Sequence, residues 1–323
     1  MRITVILCTY NRCESLSKAL ESAAALRVIS SPDWEVLVVD NNSRDRTLEV
    51  VQNFCRRFPG RFRYLFETRQ GKSFALNAGI QAAHGDLVAF MDDDVTVEPE
   101  WLQNLTSSLD GTDWSGAGGR ILPQWISPPP PWLPRHDRRS LAPFALFDLG
   151  LKAGELTEPP FGTNMAFRKV MFEKYGGFRT DLGPNPNNLI RGEDTEFGRR
   201  LLAAGERLRY EPAAVVHHPV PAERLRKDYF LAWWFDKGRS DIRENGIEPN
   251  HMCYQGIPLV LWRRLALWTL RWIVTSQSSL RFENKIKAWV NAGMIAECYR
   301  QFRATDLTGS PEPKQEYPFS IPR

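Results

Sequence analysis

Three consecutive carboxylates, Asp92, Asp93 and Asp94, follow an apolar run in the segment DLVAFMDDDV. Because successive side chains of a strand alternate faces, Asp92 and Asp94 are expected to point one way and Asp93 the other. Two ionised carboxylates on one face repel each other unless a cation or a raised pKa relieves the repulsion. The run therefore predicts a bound metal, although acidic residues after a strand also solvate turns and cap helices.

Two further clusters could contact a nucleotide. Asp40 ends the run WEVLVVD, where it could accept a hydrogen bond from a base or a ribose hydroxyl, or only stabilise a turn. Arg69 and Lys72 precede a predicted helix, and cations at a helix N-terminus favour phosphate. Phe66 stands where a P-loop requires glycine, so a Walker A site is excluded. A metal on Asp94 together with these cations would suit a diphosphate.

Later motifs offer a base and another metal ligand. In RGEDTEF, Glu193 and Asp194 lie at the predicted start of a helix, where acidic residues are common as caps. A carboxylate near a bound diphosphate could instead take the proton of an attacking hydroxyl. His217 and His218 end a strand-like run, and each is either a structural histidine or a contact to metal or phosphate.

Apolar and amphipathic segments alternate through the first 110 residues or so, beginning with ITVILC and ESLSKALESAAAL. This alternation predicts an α/β fold with a mainly parallel sheet that helices cover on both faces. Such sheets bind ligands beyond the carboxyl ends of their strands, where residues 9–11, 40–42 and 92–94 all fall. The polar clusters are therefore expected to share one edge of the sheet.

The composition limits the class of protein. The 323 residues are 42% hydrophobic, enough for a substantial core, and the formal charge of +4 does not indicate nucleic-acid binding. Five cysteines without CxxC spacing indicate neither a disulfide framework nor a zinc site. The N-terminal apolar run is shorter than the roughly 7–15 residues of a secretory signal, so we predict a cytoplasmic protein.

Seven motifs occur in order over about residues 3–222: CTYNR, VVDNNSRDRT, GKSFALNAG, FMDDDV, GTNMAF, RGEDTEF and AVVHHPV. Together they resemble the nucleotide-sugar glycosyltransferases of family 2, which have the GT-A fold. The resemblance implies an inverting enzyme that moves a sugar from a nucleotide-diphosphate sugar, with UDP as the expected nucleotide, to a hydroxyl of a glycan or lipid-linked acceptor. It also implies Mn²⁺ or Mg²⁺ as cofactor.

The resemblance implies roles for single residues as well. Asp94 would hold the metal, Asp92 would lie near the ribose, and Asp194 would be the general base with Glu193 beside it. Of the two adjacent histidines, His218 matches the family spacing better. The expected metal ligands are Asp94, Asp92 and His218. Thr9, Asn11 and Asp40 would line the nucleoside pocket. The full set of expected donor-binding residues is Thr9, Tyr10, Asn11, Arg12, Asp40, Asn42, Arg69, Lys72, Asn77, Asp92 and Asp93.

Beyond this catalytic region the composition changes. A Pro-rich segment near 123–160 has no counterpart in the resemblance and is predicted to be a functional loop such as a lid. Residues 220–323 contain 16 Lys and Arg against 11 Asp and Glu. We predict a GT-A domain over 1–222, with a nucleotide-sugar half at about 1–122 and an acceptor half at about 123–222, and a helical extension over 223–323.

The segment PLVLWRRLALWTLRWIVT, residues 258–275, is predicted to be an amphipathic helix. At 100° per residue, Arg263, Arg264 and Arg271 form a basic stripe opposite a broad apolar surface. Spanning a bilayer would bury these charges, so we expect the helix to lie flat on the cytoplasmic face of an anionic membrane or to pack on the catalytic domain. The predicted apolar surface bears Trp262, Trp268 and Trp272.

Two other functions fit parts of the pattern. A sugar-phosphate nucleotidyltransferase has a related sheet, but the glycine-rich N-terminal loop of that class is absent from ITVILCTYNRCES. A non-catalytic, membrane-attached nucleotide-sugar-binding protein would keep the pocket without turnover. Hydrolysis of the donor in the absence of acceptor would distinguish an enzyme from such a binder.

Overall fold

The computed structural model describes residues 1–29, 33–133, 138–186, 188–247 and 252–308. Strands and helices alternate through the first part, and helices dominate the last. The strands are β1 (Ile3–Thr9), β2 (Trp34–Asp40), β3 (Phe62–Phe66), β4 (Leu87–Asp92), β5 (Thr96–Val97), β6 (Gly116–Trp125), β7 (Gly154–Glu155), β8 (Met165–Arg168), β9 (Leu208–Val220), β10 (Cys253–Tyr254) and β11 (Ile257–Pro258). The helices are α1 (Cys13–Ala24), α2 (Thr47–Arg57), α3 (Lys72–Ala82), α4 (Trp101–Ser107), α5 (Lys169–Tyr175), α6 (Glu193–Ala203), α7 (Lys227–Asn245), α8 (Leu259–Val274) and α9 (Ser278–Thr308).

One mixed sheet organises the described part of the chain, in the order β3-β2-β1-β4-β8-β6-β9-β5, with β7 paired to β9. Strands β3, β2, β1 and β4 are mutually parallel, and β8 joins β4 in the antiparallel sense. The register pairs Thr9 with Asp40 and Cys8 with Asp92. The predicted α/β sheet is confirmed, and the three polar clusters end side by side at its carboxyl edge.

Alternation along β1 shows how the sheet is covered on both faces. Val5 and Leu7 pack with Leu16 of α1, while Ile6 packs on the other face with Leu76 of α3. All of these side chains are buried. Burying a strand on both faces requires the nearly continuous apolar sequence from which the strand was predicted.

The structure corrects the expectation of a loop in the middle of the chain. The strand-like run that contains His217 and His218 is the single strand β9, with a register shift against β6 between Gly119 and Arg120. The Pro-rich segment does contain sheet at its ends, in β6 and β7, and a 3-10 helix over Arg138–Phe144. Its Phe144 ring packs 5.1 Å from Phe230 of α7, so this part is packed and not a free loop.

The predicted C-terminal helical extension is present as α7, α8 and α9. Helices α7 and α9 come close together because Gly238 and Gly293 have no side chain, and a Cβ on either would collide with the backbone of the other helix. Helix α8 packs on α9, where the rings of Trp272 and Trp289 lie 5.9 Å apart. No helix in the described ranges is both long and apolar enough to cross a membrane.

The predicted faces of α8 are partly wrong. Trp272 packs against α9, whereas Trp262 is 44% exposed on another side of the helix. Arg263 lies about 100° from Arg264 around the axis and so leaves the predicted stripe. The periodicity gave the correct helix but could not show which side α9 covers. The exposed side carries Leu259, Trp262, Leu267, Leu270, Ile273 and Val274, together with the exposed arginines Arg263, Arg264 and Arg271.

Candidate active site

A cavity of about 560 Å³ opens beyond the carboxyl ends of β1 and β4. Its wall combines the ends of these strands, the first residues of α3 and α6, the end of β9 and one side of α7. The predicted site residues that line it are Thr9, Tyr10, Arg12, Lys72, Asp92, Asp93, Asp94, Glu193, Asp194 and His218.

The three aspartates line the cavity in a different arrangement from the one expected. Strand β4 ends at Asp92, so the strand alternation does not extend to the next two residues. Asp92 accepts a 2.6 Å hydrogen bond from Lys72 Nζ, while Arg12 Nη1 bridges Asp93 and Asp94 at 3.2 and 3.0 Å. Lys72 and Arg12 of the chain itself therefore balance the negative charge of the three aspartates. The repulsion between the carboxylates did not predict these cations.

Asp93 points inward. Its side chain is 8% exposed, and its Oδ2 accepts a 2.7 Å hydrogen bond from the hydroxyl of Thr9. Burial raises the pKa of Asp93 to about 6, against the opposing effect of Arg12. Asp93 thus connects the ends of β1 and β4 and fixes the position of Arg12.

Asp94 is held in its ionised form. Burial by itself would raise the pKa of Asp94, but the facing His218, Arg224 and Arg12 lower it to about 2. Arg224 Nη2 donates to Asp94 Oδ2 at 2.8 Å, and His218 Nε2 lies 3.8 Å from Asp94 Oδ1. A permanently charged carboxylate with an adjacent imidazole is a suitable pair of ligands for a divalent ion.

The structure separates the two adjacent histidines. His217 is partly exposed and lies 2.6 Å from Glu98 Oε1. His218 is buried, its Nε2 contacts Arg224 Nη1 at 3.1 Å, and its Nδ1 has no hydrogen-bond partner among the described residues. Burial lowers the pKa of His218, which favours the neutral imidazole that a metal ligand requires.

Glu193 lies beneath the cavity at the start of α6. Its side chain is buried, and Lys72 Nζ approaches Glu193 Oε1 at 3.8 Å. Burial and the neighbouring charge of Asp194 raise the pKa of Glu193 to about 7. Lys72 therefore stands between Asp92 and Glu193 and connects the edge of the sheet to the start of α6.

Asp194 is held by two backbone donors. Gly162 N donates to Asp194 Oδ2 at 2.6 Å, and Thr195 N donates to Oδ1 at 2.7 Å. Gly162 permits this approach because a Cβ at that position would lie 3.0 Å from Asp194 Oδ2. The carboxylate is oriented along the cavity wall and retains lone pairs for a further hydrogen bond.

Three predicted donor-binding residues are engaged elsewhere and do not line the cavity. Asp40 is buried and accepts hydrogen bonds from Ser43 N and the Tyr64 hydroxyl, both at 2.8 Å. Arg69 points to Glu67 at 2.9 Å. Asn77 bonds both the N–H and the carbonyl of Phe178 and so ties α3 to the chain before α6.

Asn11 and Asn42 also lie off the cavity wall. Both have positive φ angles, 51° and 68°, and Asn11 Oδ1 accepts from Arg44 N at 2.7 Å. Their side chains thus shape the two turns after β1 and β2. Asn41, between Asp40 and Asn42, lines the cavity instead and accepts from Gly71 N at 2.8 Å.

The sequence did not single out several residues of the wall. Arg224 follows His218 by six residues and reaches Asp94 because β5, which starts two residues after Asp94, pairs with β9 and aligns Thr96 with His217. On α7, Tyr229, Trp233 and Lys237 recur every four residues, a spacing that places them on one side of a helix. The four-residue spacing could have predicted that these side chains share one side of α7, but it could not show that this side faces a cavity. Arg191, Gln70 and Cys8 also line the cavity.

Comparisons with known proteins show the family of this chain and agree with its fold. The family model described as "Glycosyl transferase family 2" matches residues 4–176, more than half of the chain. The chain belongs to glycosyltransferase family 2 and is a glycosyltransferase. The matched region includes the three aspartates and ends before Asp194 and His218.

Curated relatives extend the similarity over most of the chain. The glucosyl-dolichyl phosphate glucuronosyltransferase of Haloferax volcanii is 26% identical over 72% of this chain and 75% of its own length. The succinoglycan biosynthesis protein ExoM of Rhizobium meliloti is 29% identical over 72% of this chain and 70% of its own.

Solved structures share the GT-A fold. The mannosyltransferase PcManGT from Pyrobaculum calidifontis, determined with GDP-Man and Mn²⁺, superposes with a TM-score of 0.63 and 20% identity, covering 93% of this chain and 88% of that one. Residues 1–349 of S. aureus TarS, determined with UDP, give a TM-score of 0.52 and 17% identity, covering 96% and 92%.

Proposed function

We propose that this glycosyltransferase transfers a sugar, with inversion, from a UDP-sugar to a hydroxyl of a glycan or lipid-linked acceptor in glycoconjugate biosynthesis. One observation carries the proposal. A single cavity brings together the cation of Lys72, the strongly ionised carboxylate of Asp94 and the oriented carboxylate of Asp194. Transfer from a diphosphate requires these three elements: charge stabilisation at the leaving group, a metal ligand and a base.

Asp94 and His218 fit a divalent cation, Mn²⁺ or Mg²⁺. They face each other at 3.8 Å, Asp94 stays charged, burial lowers the pKa of His218, and His218 Nδ1 has no hydrogen-bond partner among the described residues. No group of three or more His, Cys, Asp or Glu side chains in the described ranges is arranged to hold a metal. Such a site suits an ion that takes few protein ligands and completes its shell with diphosphate oxygens and water. PcManGT was determined with Mn²⁺, which supports the choice of metal.

The side chains divide the chemistry between them. Lys72 and Arg12 stabilise the negative charge that develops on the departing diphosphate, and a divalent ion held by Asp94 and His218 would supply Lewis-acid stabilisation there. Asp194 accepts the proton of the acceptor hydroxyl. The hydroxyl oxygen bonds to the anomeric carbon while the bond from that carbon to the diphosphate oxygen breaks, so the configuration inverts.

The nucleotide is proposed as UDP from the resemblance of the motifs and from TarS, which was determined with UDP and with UDP-GlcNAc. PcManGT was determined with GDP-Man, so the experiment must compare both bases. Incubation with a panel of UDP-sugars and GDP-sugars, followed by mass spectrometry, should show release of UDP. Proton NMR of the product should show the inverted anomer. Preferential use of GDP-sugars or retention of configuration would contradict the corresponding part of the proposal.

We also propose attachment to the cytoplasmic face of a membrane through the exposed side of α8. Its apolar residues include Leu270 at 58% and Ile273 at 63% exposure, and the arginines of the same helix complement anionic headgroups. A lipid-linked acceptor would be found at such a surface. The division at residue 222 remains a prediction, although Arg224 and part of α7 beyond that point contribute to the cavity wall.

A further inference from the structure

Arg191 is a cavity-lining cation that none of the steps above uses. It precedes Gly192, whose φ of 97° turns the chain sharply into α6, and its backbone N–H donates to Ser240 Oγ of α7 at 2.9 Å. Arg191 is therefore fixed between α6 and α7, three residues before Asp194. Its place in the wall is on the side of α7, together with Tyr229 and Trp233.

The guanidinium of Arg191 has no counter-ion in the described part of the chain. Its Nε is buried without a hydrogen-bond partner, and among the residues that the structure describes no carboxylate lies within ion-pairing distance. The two carboxylates that influence its charge are already paired, Asp236 with Arg239 at 3.1 Å and Glu193 with Lys72 at 3.8 Å. The other two arginines of the wall, Arg12 and Arg224, both contact Asp94.

An unpaired cation in such a position is costly unless a ligand supplies the negative charge. Burial lowers the pKa of Arg191, but a guanidinium remains protonated, so the cost cannot be relieved by loss of a proton. The guanidinium lies 5.0 Å from the centre of the Trp233 ring, close enough for a cation–π contact that supports it in the cavity wall. A guanidinium binds phosphate or carboxylate oxygens through paired donors.

We propose that Arg191, supported by Trp233, binds an oxyanion of the acceptor, a phosphate or a carboxylate, and that the enzyme therefore acts on an anionic acceptor. The inference rests on the proposed function, because it takes Asp194 as the base that contacts the acceptor. The donor diphosphate has its own cations in Lys72, Arg12 and Arg224 around the three aspartates. Arg191 lies on the α7 side of the cavity, where Tyr229 and Trp233 also line the wall.

The test measures binding of acceptor probes to the full chain saturated with UDP and Mn²⁺. Glucose 1-phosphate and glucuronate serve as anionic probes, and methyl glucoside as the neutral one, each titrated by ligand-observed NMR. We expect both anions to bind the unsubstituted protein better than methyl glucoside. Arg191→Gln should weaken anion binding about tenfold, Arg191→Lys should weaken it less, and UDP affinity should change by less than about twofold.

Arg57→Gln is the matched control, because Arg57 lies on α2, pairs with Glu21 and does not line the cavity. Circular dichroism establishes whether each variant is folded. If Arg191→Gln does not fold, Arg191→Lys still tests the proposal. If Arg191→Gln lost as much affinity for UDP as for the anionic probes, Arg191 would bind the donor and the proposal would be overturned. Equal binding of charged and neutral probes by the unsubstituted protein would also overturn it. Donor hydrolysis, measured separately, reports on the proposed transferase function and is independent of both outcomes.

Discussion

The guanidinium of Arg224 lies 2.8 Å from the carboxylate of Asp94, a residue 130 positions earlier in the chain. Arg12 approaches the same oxygen, Asp94 Oδ2, at 3.0 Å. The carboxylate proposed as the metal ligand is thus held by two guanidinium groups of the protein itself. Arg224 also contacts His218, so one side chain bridges both proposed ligands. A metal ion and Arg224 must therefore compete for this pair.

This competition predicts that Arg224→Gln tightens the binding of Mn²⁺ in the absence of nucleotide. Removing a partly buried ion pair of about 1 kcal/mol should raise the affinity roughly fivefold. Electron paramagnetic resonance of free Mn²⁺ measures the effect directly. Arg57→Gln, which removes an arginine from an ion pair on α2, should leave the affinity unchanged. Weaker Mn²⁺ binding in Arg224→Gln would show that Arg224 does not compete with the ion.

Removal of the metal should weaken donor binding. In excess chelator the affinity for UDP should fall by about 10-fold to 100-fold and return on addition of Mn²⁺ or Mg²⁺. Asp94→Asn should have low UDP affinity with and without chelator, because the response depends on the lost carboxylate. Isothermal titration calorimetry provides the measurement. A full chelator response in Asp94→Asn would remove Asp94 from the proposed metal site.

Asp194→Asn should separate binding from chemistry. The amide retains an oxygen for the bond from Gly162 N but cannot accept the acceptor proton, so transfer should fall by about 10²–10⁴-fold. UDP affinity should stay within about twofold, since the lost step is proton removal. Asp113→Asn is the control, because Asp113 is exposed and pairs with Arg207. Normal turnover combined with poor nucleotide binding would instead indicate a structural role for Asp194.

Glu193 predicts a pH dependence of stability. Its pKa rises from an ordinary value of 4.5 to about 7 on folding, so between these values the folded protein binds more protons than the unfolded chain. The free energy of unfolding should therefore fall as the pH rises from about 4.5 to 7. Glu193→Gln should flatten this part of the profile in urea denaturation across pH. An unchanged slope would mean that Glu193 does not titrate in this range.

The exposed side of α8 predicts binding to anionic vesicles. Flotation with phosphatidylserine-containing liposomes should recover the protein, and recovery should decrease with salt and with Ile273→Asp. Ile29→Asp, at another highly exposed isoleucine, is the matched control and should not affect recovery. Equal recovery of the two variants would indicate that α8 is not the attachment surface.

The sequence by itself determined the elements and their order. Val5, Ile6 and Leu7 read as a strand because a strand buried on both faces must be continuously apolar, and that requirement is local. The sequence also predicted that Thr9, Asp40 and Asp92 lie at one edge of the sheet, because parallel strands end at the same edge. The family motifs then identified the glycosyltransferase class.

Only the tertiary structure decided which side chains meet. Arg224 reaches Asp94 because β5, just after the aspartates, pairs with β9. Arg191 stacks on Trp233 because the chain before α6 packs against α7. No local period encodes contacts between such distant segments. Asp40 also accepts a hydrogen bond from Tyr64 of the neighbouring strand β3, whereas its bond from Ser43 N belongs to the local turn that the sequence offered as an alternative. On α8, periodicity defined a helix with apolar residues on several sides, but packing against α9 chose which of them became buried. Local sequence specifies backbone conformation, whereas burial and charge pairing depend on contacts that form only in the folded chain.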